Sequence, residues 1–236
     1  MSYLVYLSDV SPYAKADGHR TAAGVHQSLG SAMTAFEEVA GLCGLEFRGV
    51  TRVGDATPEL LSGARVLVLF TIGETPWAPA QRLIVEERAT SGALGIVGVH
   101  AATDAAYTWP AYGELLGARF NGHPVTGDLP ITVIDSGHPA TAHLPSPWRF
   151  KEELYLFRDL SPDARVLLGV EMGSVPTGDL PGEGASVLPI AWCIERGPLR
   201  TFYTVLGHFV AAYEDGNYMQ HLQGAVEWVL GAGKAA

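Results

Sequence analysis

Leu94-Gly95-Ile96-Val97-Gly98-Val99-His100-Ala101-Ala102-Thr103 is apolar without interruption up to Val99 and then changes character at a histidine. A strand with one wet face alternates apolar and polar residues. A continuous apolar run is what a strand buried on both faces looks like, in a parallel sheet covered by helices. Val66-Leu67-Val68-Leu69-Phe70 repeats the pattern, as does Tyr3-Leu4-Val5-Tyr6-Leu7 near the N-terminus. Between these runs the period changes. Ala22, Val25, Leu29, Met33, Phe36, Ala40 and Cys43 recur in steps of three and four, which predicts an amphipathic helix that Gly44 stops. Pro79 to Ser91 reads as a second helix ended by Gly92, and Asp104 to Leu116 as a third, interrupted near its middle by Pro110. With Leu45 to Val50 as a further strand, the order β-α-β-β-α-β-α predicts an α/β fold with helices on both faces of a mainly parallel sheet.

The middle of the chain departs from this alternation. Residues 121–150 hold five of the fifteen prolines and three histidine-containing turns, and the reading there is of short strands, Ile131 to Ile134 among them. The stretch around 121–160 is expected to be an insertion at the edge of the sheet. Val166 to Val170, Val187 to Ile194 and Leu199 to Leu206 read as strands, with a Gly/Pro loop at 173–184 long enough for a lid. Asn217 to Leu230 closes the chain as a helix with Tyr218, Leu222, Ala225, Val226 and Val229 on one face. No internal repeat and no second domain is evident, so residues 1–236 are expected to form a single domain.

Composition bounds the function. Apolar residues make up 47% and charged residues 17%, as in ordinary globular chains. The net charge is −10, without a basic stripe, which argues against nucleic acid or an anionic membrane as partner. A small molecule is the expected partner, and a homo-oligomer is allowed. The two cysteines, Cys43 and Cys193, suggest no disulfide framework; with no signal-peptide pattern and no apolar run long enough to span a bilayer, the expected location is the cytoplasm.

In open α/β sheets ligands bind beyond the carboxyl ends of the strands. His100 ends one predicted strand, His208 follows another, and His26 falls in the first turns of the first long helix, so all three are expected on that edge. Glu153 shares a predicted strand face with Tyr155, while Glu152 and Leu154 point to the other face. Asp104 could orient His100 or cap the following helix. Trp109, Tyr112, Trp192 and Tyr203 could form a sugar-stacking wall or simply fill the core. His123 and His138 each precede a proline and read as turn residues, whereas His19, His143 and His221 carry no pattern. His26, His100 and His208 could hold a divalent metal such as zinc, with Glu153 as a carboxylate partner, though no local His-x-x-x-His spacing marks them.

Several segments in order carry a family resemblance. They are Gly98-Val99-His100-Ala101-Ala102, Tyr112 through Pro124, Glu152-Glu153-Leu154-Tyr155, Pro189-Ile190-Ala191-Trp192 and Arg200 through His208. Together they resemble the ThuA-like family, named for trehalose utilisation, over roughly residues 60 to 230. The resemblance implies a flavodoxin-like, three-layer α/β/α fold of the class I glutamine amidotransferase-like superfamily. Gly24-Val25-His26 resembles a Gly-Ile-His of the same family. Three departures stand out. The family's Asp-Glu-Leu-Tyr is Glu152-Glu153-Leu154-Tyr155, its Gly-Arg is Leu199-Arg200, and its early N-terminal histidine has no clear counterpart other than His19.

In true amidotransferases the elbow occupied by His100 holds a nucleophilic cysteine, and neither Cys43 nor Cys193 is there, so glutaminase chemistry by that route is excluded. The resemblance implies instead an enzyme acting on a sugar or an oxidised (keto) sugar derivative. His100, His208 and Glu153 are its candidate catalytic residues. His26, His123, Asp104, Trp109, Tyr155 and Trp192 are the candidate substrate-binding residues. Proton transfer beside a carbonyl, or hydrolysis, fits such groups. A sugar-binding module without turnover and a structural subunit of a larger complex are the alternatives.

Overall fold

The computed structural model describes residues 2–11, 26–175 and 186–231. In chain order the elements are β1 (Tyr3–Val10), α1 (Leu29–Leu42), β2 (Glu46–Val50), a 3-10 turn (Val53–Asp55), α2 (Pro58–Gly63), β3 (Ala64–Ile72), α3 (Pro79–Thr90), β4 (Gly95–Val99), a 3-10 turn (His100–Asp104) and α4 (Pro110–Leu116). There follow β5 (Arg119–Phe120), β6 (Val125–Val133), β7 (Trp148–Leu154), β8 (Phe157–Arg158), β9 (Arg165–Glu171), β10 (Val187–Arg196), β11 (Leu199–Thr204), a 3-10 turn (Val210–Glu214) and α5 (Gly216–Val229).

One nine-stranded sheet runs β2-β1-β3-β4-β11-β10-β9-β6-β7. The first five strands are parallel and follow the flavodoxin order, with β11 in the place of the fifth strand. The runs that read as doubly buried are so: Leu4 to Leu7, Val66 to Phe70 and Gly95 to Val99 are all buried. Helices cover both faces. The Tyr6 hydroxyl reaches the Leu29 carbonyl of α1, whereas Tyr3, on the other face of β1, donates to the Leu60 carbonyl of α2. On β4, a Cβ at Gly95 would strike Val229 of α5 and one at Gly98 would strike Leu116 of α4, so these two helices approach the strand from opposite sides.

The edge insertion is larger than the sequence suggests. β6 is nine residues long, and from β11 through β10, β9 and β6 to β7 every pairing is antiparallel, four pairings against four parallel ones. This outer end curls back. Phe150 packs against Tyr218 and Trp148 against His221, both on α5, which brings the end of β7 to the loop after β11.

Two helix boundaries correct the sequence reading. Pro110 does not interrupt a helix spanning 104–116; it begins α4, where its fixed φ and missing N–H cost nothing. The residues before it form the 3-10 turn and an irregular stretch. His26 is not within α1 but two residues ahead of its Ser28 cap. Residues 22–25 of that predicted helix, most of the 173–184 loop and His19 lie outside the described residues. The short α2 carried no readable period.

Candidate active site

β4 ends at Val99, and His100 takes a left-handed φ of 47°, a costly conformation for a residue with a side chain. That elbow points the imidazole across the carboxyl edge of the sheet. His100 is fully buried. Its Nδ1 lies 2.8 Å from the Val205 carbonyl. A carbonyl only accepts, so Nδ1 carries the proton and Nε2 presents a lone pair. That lone pair faces the Tyr155 hydroxyl at 2.9 Å and His208 Nδ1 at 3.1 Å.

His208 follows Gly207, whose φ of 124° is open only to glycine in practice; a Cβ there would also meet the Tyr213 and Tyr218 hydroxyls. His26 packs its ring 4.9 Å from His100 and 5.4 Å from His208. Phe70, at the end of β3, forms the floor beneath His26 and His100. Ligand nitrogens of His26, His100 and His208 lie within 4.8 Å of one another. His26 is buried, and neither of its nitrogens has a hydrogen-bond partner among the described residues. An unpaired buried polar group is costly, so it calls for a partner.

Glu153 completes the cluster. Its Oε2 is 3.4 Å from His208 Nδ1 and 3.6 Å from His100 Nε2, and its Oε1 is 3.7 Å from His123 Nδ1. His123 is half exposed and stands at the rim beside Phe120. Tyr155 is buried against His100 and Phe120. Burial pushes the Tyr155 phenol well above its usual range, so it stays an O–H donor. Burial, reinforced by His208, pushes His26 down to about 4. Burial and then His26 hold His100 well below the usual imidazole range. His208 is lowered by burial against the opposing pull of Glu153. The three imidazoles are therefore neutral at pH 7, the state in which they ligate a metal.

Three expected site residues lie elsewhere. Trp192 is fully buried, donates to the Leu116 carbonyl and stacks on Tyr203; it is core, not a ligand wall. Trp109 is buried among Trp77 and Tyr112, with its indole N–H on Glu86. Asp104 accepts from the Tyr107 hydroxyl, and the group that orients His100 is the Val205 carbonyl instead.

Glu152 is the residue the sequence reading missed. Strict alternation sends it to the face opposite Glu153, yet both are buried, Glu152 against the Gly207 and His208 amides and Glu153 against the His100 and His208 rings. The Glu152 carboxylate accepts from the amides of Glu153, Gly207 and His208. Burial pushes its pKa up to about 8 against those three donors, which favour the ionised form.

The sequence pattern of the ThuA family, described as trehalose utilisation, matches residues 19–229. The chain belongs to the ThuA family. Among solved structures, a ThuA-like protein from Bacteroides uniformis ATCC 8492 is 22% identical with a TM-score of 0.72, over 96% of this chain and 91% of that one. A ThuA-like protein from Parabacteroides merdae ATCC 43184 is 19% identical with a TM-score of 0.71, over 98% and 91%. PurLQS from Thermotoga maritima shares the fold more distantly, at 11% identity and a TM-score of 0.54, over 97% and 99%. A comparison with curated proteins finds no match. The family and fold that the motif order implied are thus those of the chain. No helix among the described residues is long and apolar enough to cross a membrane.

Proposed function

We propose that this ThuA-family protein is an enzyme acting on a sugar or an oxidised (keto) sugar derivative. In this reading His26, His100 and His208 hold a divalent cation such as zinc, and Glu153 is the carboxylate that moves a proton. The observation that carries it is His26, a buried imidazole whose two nitrogens both lack a partner among the described residues and which sits beside two further imidazoles.

The donor set fits such an ion. Zinc takes imidazole nitrogens at about 2.0–2.1 Å, which sets tetrahedral neighbours roughly 3.3 Å apart. His100 Nε2 and His208 Nδ1 are already 3.1 Å apart. When bound, the cation would polarise a sugar carbonyl or acidify a water. The residues supply the rest. The tautomer imposed by Val205 turns the His100 lone pair inward. Glu153 lies on the same side, placed to take a proton from a carbon beside a carbonyl or from water. The Tyr155 hydroxyl can donate to an oxygen that gains charge, and His123 sits at the rim, where sugar hydroxyls would enter. Cys43 is only partly buried and Cys193 is a core residue of β10; neither is at the elbow, consistent with chemistry that needs no thiolate. Both are free, as befits a cytoplasmic protein, where we place it. A sugar-binding module without turnover would use the same hydroxyl partners, but it gives no account of the His26 nitrogens, which lack partners among the described residues.

The test is elemental analysis of the protein purified without added or affinity-tag metal, followed by a keto-sugar screen. We expect about one divalent cation per chain, absent from His26→Ala and His100→Ala. Glu153→Gln should keep the cation and lose turnover by roughly a hundredfold or more. A wild-type chain that neither carries nor takes up zinc, manganese or iron overturns the cation reading.

A further inference from the structure

The four residues Val205-Leu206-Gly207-His208, just past β11, are hydrogen-bonded to each of the segments that carry His26, His100 and Glu153. The Val205 carbonyl accepts from His100 Nδ1. The Gly207 carbonyl accepts from the Ser28 hydroxyl at 2.8 Å, which ties in the segment that carries His26. The Gly207 and His208 amides donate to Glu152 Oε2 at 2.7 and 3.1 Å. The other oxygen of the same carboxylate, Oε1, accepts from the Glu153 amide at 2.9 Å. The tetrapeptide is itself held by the Tyr218 hydroxyl on the Leu206 carbonyl and by the Val205 amide on the Ile190 carbonyl.

The structure assigns to Glu152 the role of positioning residue for the whole cluster. One carboxylate spans the gap between β7 and the loop after β11 and so fixes Glu153 and His208 relative to each other. This extends the proposed function, and it rests on the reading of the histidine cluster as a cation site for its binding readout only. Glu152 has no exposed surface and touches no open space in which a substrate could sit. Its oxygens are occupied by three main-chain donors that belong to the two segments carrying His208 and Glu153. The arrangement demands acceptance at both oxygens, which a carboxyl offers whether ionised or protonated, since its O–H oxygen keeps lone pairs. Glutamine has the same shape but offers one oxygen and one NH2, so one end would face a main-chain N–H with another N–H. The two long reaches, from residue 152 to residues 207 and 208, also explain why a buried carboxylate is kept in a place that apolar side chains could fill. Such supporting groups commonly set metal affinity by 10–100-fold through the orientation of ligands they do not themselves replace.

The experiment uses the full chain and its Glu152→Gln variant, with Co²⁺ as the probe. Two readouts are taken: the affinity and visible spectrum of Co²⁺, and amide hydrogen exchange in metal-free protein. We expect Glu152→Gln to weaken Co²⁺ by about 10–100-fold and to alter its ligand-field bands. We also expect exchange at Gly207 and His208 to speed up by at least roughly tenfold while the β3 and β4 amides stay as in wild type. Wild-type exchange at Gly207 and His208 in the variant overturns the assignment, as does wild-type Co²⁺ affinity with an unchanged spectrum. If the wild-type chain takes up no Co²⁺, the cation reading falls, and the exchange readout alone decides the role of Glu152. Should Glu152→Gln fail to fold, Ser28→Ala cuts a single bond to the same tetrapeptide. It should weaken Co²⁺ about three- to tenfold and loosen the Gly207 region; no change in either overturns the tetrapeptide as the organising point.

Discussion

His221 on α5 and His26 ahead of α1 are both buried, and they are satisfied to opposite extents. His221 bonds the Ala140 carbonyl through Nδ1 and meets Thr204 Oγ1 through Nε2. His26 bonds nothing through either nitrogen among the described residues. His138 lies between these cases. One of its nitrogens accepts from the Ala140 amide and the other has no partner among the described residues, but it is packed between Phe202 and Trp228 rather than turned toward a cluster of imidazoles. Burial therefore does not mark a functional histidine, and neither does a single orphan atom. What separates the site from the core is convergence: three imidazoles and a carboxylate turned toward one point, with the far nitrogen of His100 fixed by the Val205 carbonyl.

The comparison can be broken by stability measurements, and acid gives the largest effect. Burial pushes His221 down to about 3 and His138 down to about 4. The unfolded chain takes up these protons below its ordinary value of 6.5, while the folded chain resists. Stability from these groups is thus full above 6.5 and is lost as pH falls toward 3–4. Glu152 acts with the opposite sign: its contribution is full below 4.5 and fades as pH rises through 8. Comparing variants cancels that term. Denaturant melts at about pH 7 and pH 4.5 should show that His221→Gln loses roughly 3 kcal/mol less on acidification than wild type does. Equal losses would mean that His221 titrates normally.

At neutral pH, His221→Ala should cost about 2–4 kcal/mol, since it leaves the Ala140 carbonyl unpaired and opens a cavity beside Phe202. That corresponds to a fall in melting temperature of roughly 5–15 °C. Trp109→Phe should cost about 1 kcal/mol through the lost bond to Glu86 and should leave cation affinity within a factor of about two. A larger change in affinity would return Trp109 to the site. Smallest of all, His26→Ala in metal-free protein should change stability by less than about 1 kcal/mol, because removing the ring also removes two buried nitrogens without a partner among the described residues. If it is as damaging as His221→Ala, the two histidines are alike and the distinction between them fails.

Much of this was legible in the chain. Runs such as Val66 to Phe70 can be stable only where both faces are covered, so they dictate a parallel core with helices on either side. The strand ends then place His100 and His208 on one edge. Other features were not legible because they depend on where the chain goes next. Alternation puts Glu152 opposite Glu153, but the loop after β11 covers Glu152 and the histidine cluster covers Glu153, so both are buried. Trp109 and Trp192 could equally have lined a pocket or filled the core. Their indole N–H groups are satisfied inside, by Glu86 and the Leu116 carbonyl, which decides for the core.

Residue order alone settles the layered α/β class, the family, the edge on which His26, His100 and His208 stand, and the lack of a cysteine at the elbow. These follow from residue type, periodicity and motif order, which are local or one-dimensional properties. The packing of whole elements is what curls the outer antiparallel strands back and brings Glu152 and Glu153 against the loop after β11. Only it decided that Val205 fixes the His100 tautomer and that His26 is left without a partner among the described residues. The contacts among these join residues tens to more than a hundred positions apart, and contact at that range is set by how whole elements pack.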